Sequence, residues 1–374
     1  MAIVLSQDQI RWLRMRAQRL HPRLAGGSRT EQVVRDLCAV QAQLPSAASL
    51  AIRARSQLLT ADDVLRARVE ERTVVRTWGP RGTLHLLATE DIGWLLPLLG
   101  PFFIAGNSRR YAQLGLDPDT IEQGLRAIQT VLAEQAPLTR DELIERLRAE
   151  GVRLEGQARP HLLGHAAFKG LICYGPDRGK NPTYVLLRDW VNPGNPLPEE
   201  EAQAELARRY LEGHGPASPQ DLAAWSGLPM RVVRSAWSRI TEQLVEVEIN
   251  GSGSAWMPEA HLAWLDEPLG HGPIVRLLPN FDPYLLGYQT RDFVVPREYA
   301  KRINAGGGML HPTVLVNGRA AGIWKREQTT DYLDITVEPF GPLAPEVPAK
   351  IEAEAADLAR FLGTRARPDR PVRY

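Results

Sequence analysis

Apolar and polar positions along this chain follow two periods, and helical spacing gives way to strand alternation three times in the same order. Ser6, with Gln9 three residues on, opens a predicted helix that runs to about Leu20, where "HPRLAGGS" breaks it. A second helix is predicted from near Thr30, because Val33, Leu37, Val40 and Leu44 follow the i, i+4, i+7, i+11 spacing of a buried stripe. Another starts after Thr60, and "TVVRTWGPRGTLHLLA" then reads as two short strands around "GPRG". The cycle repeats from Asp119: "DTIEQGLRAIQTVLAEQA", "LTRDELIERLRAEG" and "GQARPHLLGHAAFKG" are helical, and "LICYGPDRGKNPTYVLL" is a pair of strands around a glycine-rich turn. From Glu199 it comes a third time and ends in the hairpin "LVEVEINGSGSAWMP".

Three helices followed by a two-stranded wing is the order of a winged helix-turn-helix unit. The linkers "NPGNPLPEE" and "DEPLGHGP" (Asp266 to Pro273) fit that division. After them the character changes. "PIVRLLPNFDPYLLGYQTRD" and "TVLVNGRAAGIWKRE" are strand-like, Asn317-Gly318 is a strong hairpin signal, and "PAKIEAEAADLARFLG" is a closing helix. The expectation is an α+β protein, mainly α. It has three tandem winged helix-turn-helix units at residues 1–115, 116–192 and 193–270, and a β-rich C-terminal region at 271–374.

Composition narrows the classes without choosing among them. With 374 residues, 44% hydrophobic and 24% charged, the chain can bury a large core and resembles neither a disordered nor a fibrous protein. A net charge of +1 gives no global basic field, so a polyanionic partner must be met by a local patch. Only five of the 45 basic residues are lysines, an excess of arginine that suits phosphate recognition and that a GC-rich coding bias also produces. Cys38 and Cys173 lie far apart in apolar surroundings, as free thiols in a reducing compartment do. The N-terminus lacks the pattern of a secretory signal and there is no run of 18 apolar residues, so the expected location is cytoplasmic.

Common cofactor and nucleophile motifs are absent: no phosphate loop, no Gly-x-Gly-x-x-Gly after a strand, no Cys-x-x-Cys, no Gly-x-Ser-x-Gly. His161 and His165 are four apart, but "HLLGH" lacks the acid of zinc hydrolases and a third ligand, so no metal is expected and contact with solvent or phosphate is the plainer reading. Asp282 before Pro283 reads as a turn former or as an acid at the mouth of a site, and His85 as a satisfied core histidine on a strand.

Two glutamines in "CAVQAQLP" are harder to place. Gln41 falls on the predicted buried stripe, where an unpaired amide costs about 1–3 kcal/mol. Gln43 points away from it inside a regular helix, yet Pro45 biases Leu44 out of helical geometry, so a fraying helix end would let both amides converge on one small polar object. The alternative is that Gln41 bonds a neighbouring backbone group and Gln43 caps the helix.

"AVQAQLPSAASLAIRAR", "VVRTWGPRGTLHLLATED", "LLPNFDPYLLGYQTRD" and "HPTVLVNGRAAGIWK" together, in this order, resemble the winged-helix DNA glycosylases of the AlkZ/YcaQ type. The resemblance implies a C-shaped scaffold of tandem winged helices that excises alkylated bases, including those joined as interstrand crosslinks. Its catalytic motif is Gln, an apolar residue, then Gln or Asp, and Gln41-Ala42-Gln43 matches the AlkZ-like branch, which is associated with crosslinks at nitrogen 7 of guanine and self-resistance.

On that basis Gln41 and Gln43 are the catalytic candidates, with His85 and Asp282 as possible support. Arg231 and Arg234 on the third unit's recognition helix, and Arg319, Trp324 and Lys325 on the Asn-Gly hairpin, are candidates for contacting DNA. The expected activity is cofactor-free monofunctional hydrolysis by a monomer acting on double-stranded DNA with alkylated bases; the scarcity of lysine disfavours a Schiff base. The alternative from another class is a winged-helix regulator or architectural protein whose glutamines are structural.

Overall fold

A computed structural model describes residues 3–249, 253–267, 272–306, 308–329, 331–366 and 372–374; the tip of the third predicted hairpin and part of the Asp266 to Pro273 linker lie outside them. The protein is α+β, as predicted, and divides into two compact units. The first joins Met1–Val64 to Ala204–Tyr374, and the second is Leu65–Gln203. Among the described residues no helix is long and apolar enough to cross a membrane.

In the first unit, the helix Gln7–Ala17 begins at Ser6 with the predicted reciprocal cap: the Ser6 side chain accepts from the Gln9 amide, and the Gln9 side chain accepts from the Ser6 amide. The strand Ile3–Leu5 pairs in parallel with Leu244–Ile249, which pairs antiparallel with Gly253–Pro258. The helices Pro219–Ser226 and Met230–Ser238 precede that hairpin, the first opened by a Ser218–Asp221 capping box and closed by left-handed Gly227.

A second sheet of this unit has the order Val275–Leu278, Thr313–Val316, Arg319–Gln328, Tyr332–Pro339, Arg365–Ala366. Its Asn-Gly turn forms as the sequence predicts, with Asn317 at φ 48° and Gly318 at φ 76°, the two positive values that a tight hairpin of matching twist requires. The closing helix Val347–Phe361 packs on the first strand of this sheet.

Buried charge ties the parts of the unit together. Arg53, at the end of the helix Pro45–Arg53, is fully buried and donates to the Leu277 carbonyl at 2.9 Å and to Glu354 at 2.9 Å. Burial alone would raise the Glu354 carboxyl, but Arg53, Arg276 and Arg23 around it hold it below its ordinary value. Two residues on, the Arg55 guanidinium donates to both oxygens of Asp282, at 2.8 and 2.9 Å, and also to Gln18 and to the Ala51 carbonyl. Charges this deep are tolerated because each is paired and hydrogen-bonded.

The second unit carries strands in the order Leu84–Ala88, Val74–Trp78, Ile172–Tyr174, Thr183–Leu186, Leu138–Thr139. Its helices include Ile92–Gly106, Pro118–Gln135, Arg140–Ala149 and Ala158–Phe168. Leu143, Leu147, Leu162, Leu163 and Ile172 are fully buried at its centre. At the crossing of Ile92–Gly106 with Ala158–Phe168, a Cβ on Gly100 would lie 2.4 Å from the Phe168 carbonyl oxygen, so only glycine allows this approach.

Candidate active site

The glutamines do not sit at a helix end. The predicted helix from Thr30 stops at Asp36, Cys38 takes a left-handed φ of 61°, and Val40–Gln41 is extended. Pro45 does not terminate a helix but opens one, Pro45–Arg53, where a missing N–H costs nothing and the fixed φ is already helical. The apolar spacing misled because residues 37 to 42 are all buried, and a segment buried on every side has no face for a period to mark.

The strand ends at Gln41, and Gln43 lies beyond it, past buried Ala42, outside any helix. The Gln41 amide nitrogen donates to the Gln43 amide oxygen at 2.7 Å, with Gln41 buried and Gln43 exposed. Convergence was expected, for a different reason. Accepting this bond leaves the Gln43 oxygen a second lone pair and polarises its NH₂ as a donor, so the pair can grip a water or a small polar group.

The motif is held from behind. Pro45–Arg53 starts two residues after Gln43, and its far end is fixed by the Arg53 and Arg55 bonds to Leu277, Glu354 and Asp282. Sequence reasoning missed both arginines. Buried Arg in "AIRAR" is a weak signal, and its partners are more than 200 residues away.

Asp282 is the turn former: one oxygen accepts from the Tyr284 amide at 2.9 Å, and both accept from Arg55. It is fully buried. His85, in the second unit, is buried on Leu84–Ala88 with Nδ1 3.0 Å from the Thr83 carbonyl. Burial, with help from Arg81, pushes its pKa down to about 3, so the imidazole is neutral at any ordinary pH.

Arg231 and Arg234 are exposed on one side of Met230–Ser238, three apart, while Val232, Val233, Ala236 and Trp237 are buried on the other. Arg319 is exposed beside the Asn-Gly turn, and Lys325 is exposed with its ammonium 2.6 Å from Glu338. Trp324 is placed otherwise than its candidacy for contacting DNA needs: it is 2% exposed and its indole donates to the Leu278 carbonyl at 2.8 Å. Alternation along the strand turns it inward as it turns Lys325 outward.

In the second unit, His161 and His165 flank the Tyr111 ring, at 6.0 and 5.4 Å between centroids. Burial and nearby cations lower both imidazoles. Among the described residues no group of three or more His, Cys, Asp or Glu side chains could hold a metal ion.

Residues 34–361 match the family described as DNA glycosylase AlkZ-like. An interstrand DNA cross-link repair glycosylase of Streptomyces sahachiroi is 31% identical over 379 residues, spanning 96% of this chain and 97% of that protein. The solved structure of Streptomyces sahachiroi DNA glycosylase AlkZ superposes with a TM-score of 0.82 at 28% identity, covering 98% of this chain and 100% of the other.

Proposed function

Because the chain belongs to the AlkZ-like family of DNA glycosylases, hydrolases of N-glycosyl bonds, we propose that it removes N7-alkylated purines from double-stranded DNA through Gln41 and Gln43. The observation that carries this reading is the bond between the two amides, which gives one polar grip at the position of the family's Gln-x-Gln motif.

An amide is no base, and none is needed for such a substrate. A purine alkylated at nitrogen 7 is already cationic and leaves the sugar carbon readily. The task left is to place a water in line and to steady the charge that grows on the sugar. A water donating to the second lone pair of the Gln43 oxygen would be oriented for attack, and an amide oxygen turned toward the sugar would steady that charge. Positioning and electrostatics of this kind contribute about 3–4 kcal/mol for one well-placed group. The product is a free base and an abasic site.

The Streptomyces sahachiroi relative is named for interstrand cross-link repair, and we extend that substrate class to this chain. The recurring order of helices followed by a hairpin supports reading residues 1–270 as tandem winged helices. Exposed Arg231, Arg234, Arg319 and Lys325 are then the contacts to backbone phosphates.

The test is a duplex containing 7-methylguanine, incubated with the protein and treated with alkali, with a crosslinked duplex run alongside on a denaturing gel. Cleavage at the lesion above the buffer control supports the reading, and cleavage equal to buffer overturns it.

A further inference from the structure

Arg53, Arg55 and Arg276 each have a carboxylate to answer their buried charge, and Arg291 does not. Arg291 is half-buried in the first unit, where its Nε donates to the Leu285 carbonyl at 2.8 Å. That bond tethers the guanidinium and leaves its two terminal nitrogens with no hydrogen-bond or ion-pair partner among the described residues. Burial lowers the Arg291 pKa from its ordinary value, and no neighbouring carboxylate raises it again. A charge drawn away from water without a counter-ion is costly, so an unanswered one asks for a ligand.

Arg291 lines a cavity of about 210 Å³, which Gln41 and Gln43 do not line. Arg297, exposed and likewise without a partner among the described residues, stands in the same wall. So does Asn304, whose side-chain oxygen accepts from the Gly306 amide at 3.2 Å and whose NH₂ is left to donate. Buried Ile303 and Leu310 form apolar wall, and Asn304 faces Leu310 across a short antiparallel ladder. Asp292 is the one acid of the lining, exposed and paired with neither arginine. Two guanidinium groups and an amide donor thus stand against one carboxylate. The volume falls below the roughly 300–1,000 Å³ of sites for drug-sized ligands and suits a small ion or a single group of a larger molecule.

We propose that this cavity is an oxyanion site for a phosphate or phosphodiester group, held by the terminal nitrogens of Arg291, by the Arg297 guanidinium and by the Asn304 NH₂. The free edge of a guanidinium matches the paired oxygens of phosphate, and its charge rejects a cation. The proposal does not depend on the excision chemistry.

Calorimetric titration of the full chain with inorganic phosphate at low ionic strength tests it. The wild-type protein should bind one phosphate. Arg297→Ala, which breaks no bond within the protein, and Arg291→Lys, which keeps the charge and loses the fork, should each weaken that binding about tenfold, the worth of one hydrogen bond to a charged group. Asp292→Asn removes the acid and should tighten binding, a gain that no loss of folding can mimic. Arg126→Ala, at an exposed site in the second unit, is the control and should bind as wild type.

The source of the phosphate is read from an undamaged duplex. If it is the DNA backbone, phosphate competes with duplex in wild type, and Arg297→Ala lowers the slope of log affinity against log salt by about one. If it is a free phosphate compound, Arg297→Ala loses phosphate and keeps the wild-type slope. No phosphate binding by wild type, or binding unchanged in both Arg297→Ala and Asp292→Asn, overturns the site. A Gln41→Ala protein that excises nothing should still bind phosphate, which separates failure of this site from failure of the excision reading.

Discussion

Gln41 gives a hydrogen bond to Gln43 across one intervening residue, at 2.7 Å, in a stretch that leaves the helix at Asp36 and enters the next only at Pro45. In a helix the same two side chains would diverge. The two should therefore act as a unit. Gln41→Ala and Gln43→Ala should each slow single-turnover excision of 7-methylguanine by about 10²–10³-fold, and the double variant by far less than the product. Fully multiplicative losses would show independent roles.

The Arg55–Asp282 pair makes a prediction about stability. Arg55→Met leaves a buried carboxylate with its principal partner gone, which should cost about 3–5 kcal/mol in urea unfolding. Adding Asp282→Asn removes the stranded charge while keeping an acceptor for the Tyr284 amide, so the double variant should recover part of the loss. A double variant less stable than the single one would refute the account.

Gly318 closes the Asn-Gly hairpin at positive φ, and a Cβ there would stand 2.9 Å from both Arg11 Cβ and the Tyr284 hydroxyl. Gly318→Ala should thus destabilise by at least about 1–2 kcal/mol from backbone strain alone. Thermal melts of the two proteins measure it, and an unchanged midpoint would mean that the turn relaxes freely.

Acid should weaken the fold through His85. Its folded pKa is about 3 against 6.5 when free, so below pH 6.5 the unfolded chain binds a proton that the folded chain refuses. The stabilisation is complete above pH 6.5 and is lost as the pH falls toward 3, to an upper bound on the order of 5 kcal/mol. Urea midpoints at pH 7.5 and 5 should differ more for wild type than for His85→Asn, which cannot take up that proton. Equal differences would exclude His85 as the source.

Local chemistry was legible in the residues. Ser6 with Gln9 and Asn317-Gly318 each settle their structure within four positions, and each forms as read. The Gln-x-Gln motif was legible as a candidate site, by likeness to a family, but its backbone was misread. A buried strand and a buried helix end share one apolar pattern there, and the choice was made by Cys38 in left-handed geometry and by Pro45 beginning a helix. Arg53 and Arg55 were not legible at all, since their partners are set by the tertiary fold. Trp324 looked like a contact because an aromatic beside a lysine at a hairpin end suggests one, while strand alternation sends the two to opposite faces.

The bond from Arg53 to Glu354 spans 301 residues, which gives the site a timetable during synthesis. Gln41 and Gln43 leave the ribosome early, yet the helix behind them gains its last anchors only when Glu354 and Asp357 have been made. At about 5–20 residues per second that interval is roughly 15–60 seconds. Through it a nascent chain carries both amides without the brace that aims them, so a ribosome-stalled chain ending before Val347 should bring the motif but not the activity.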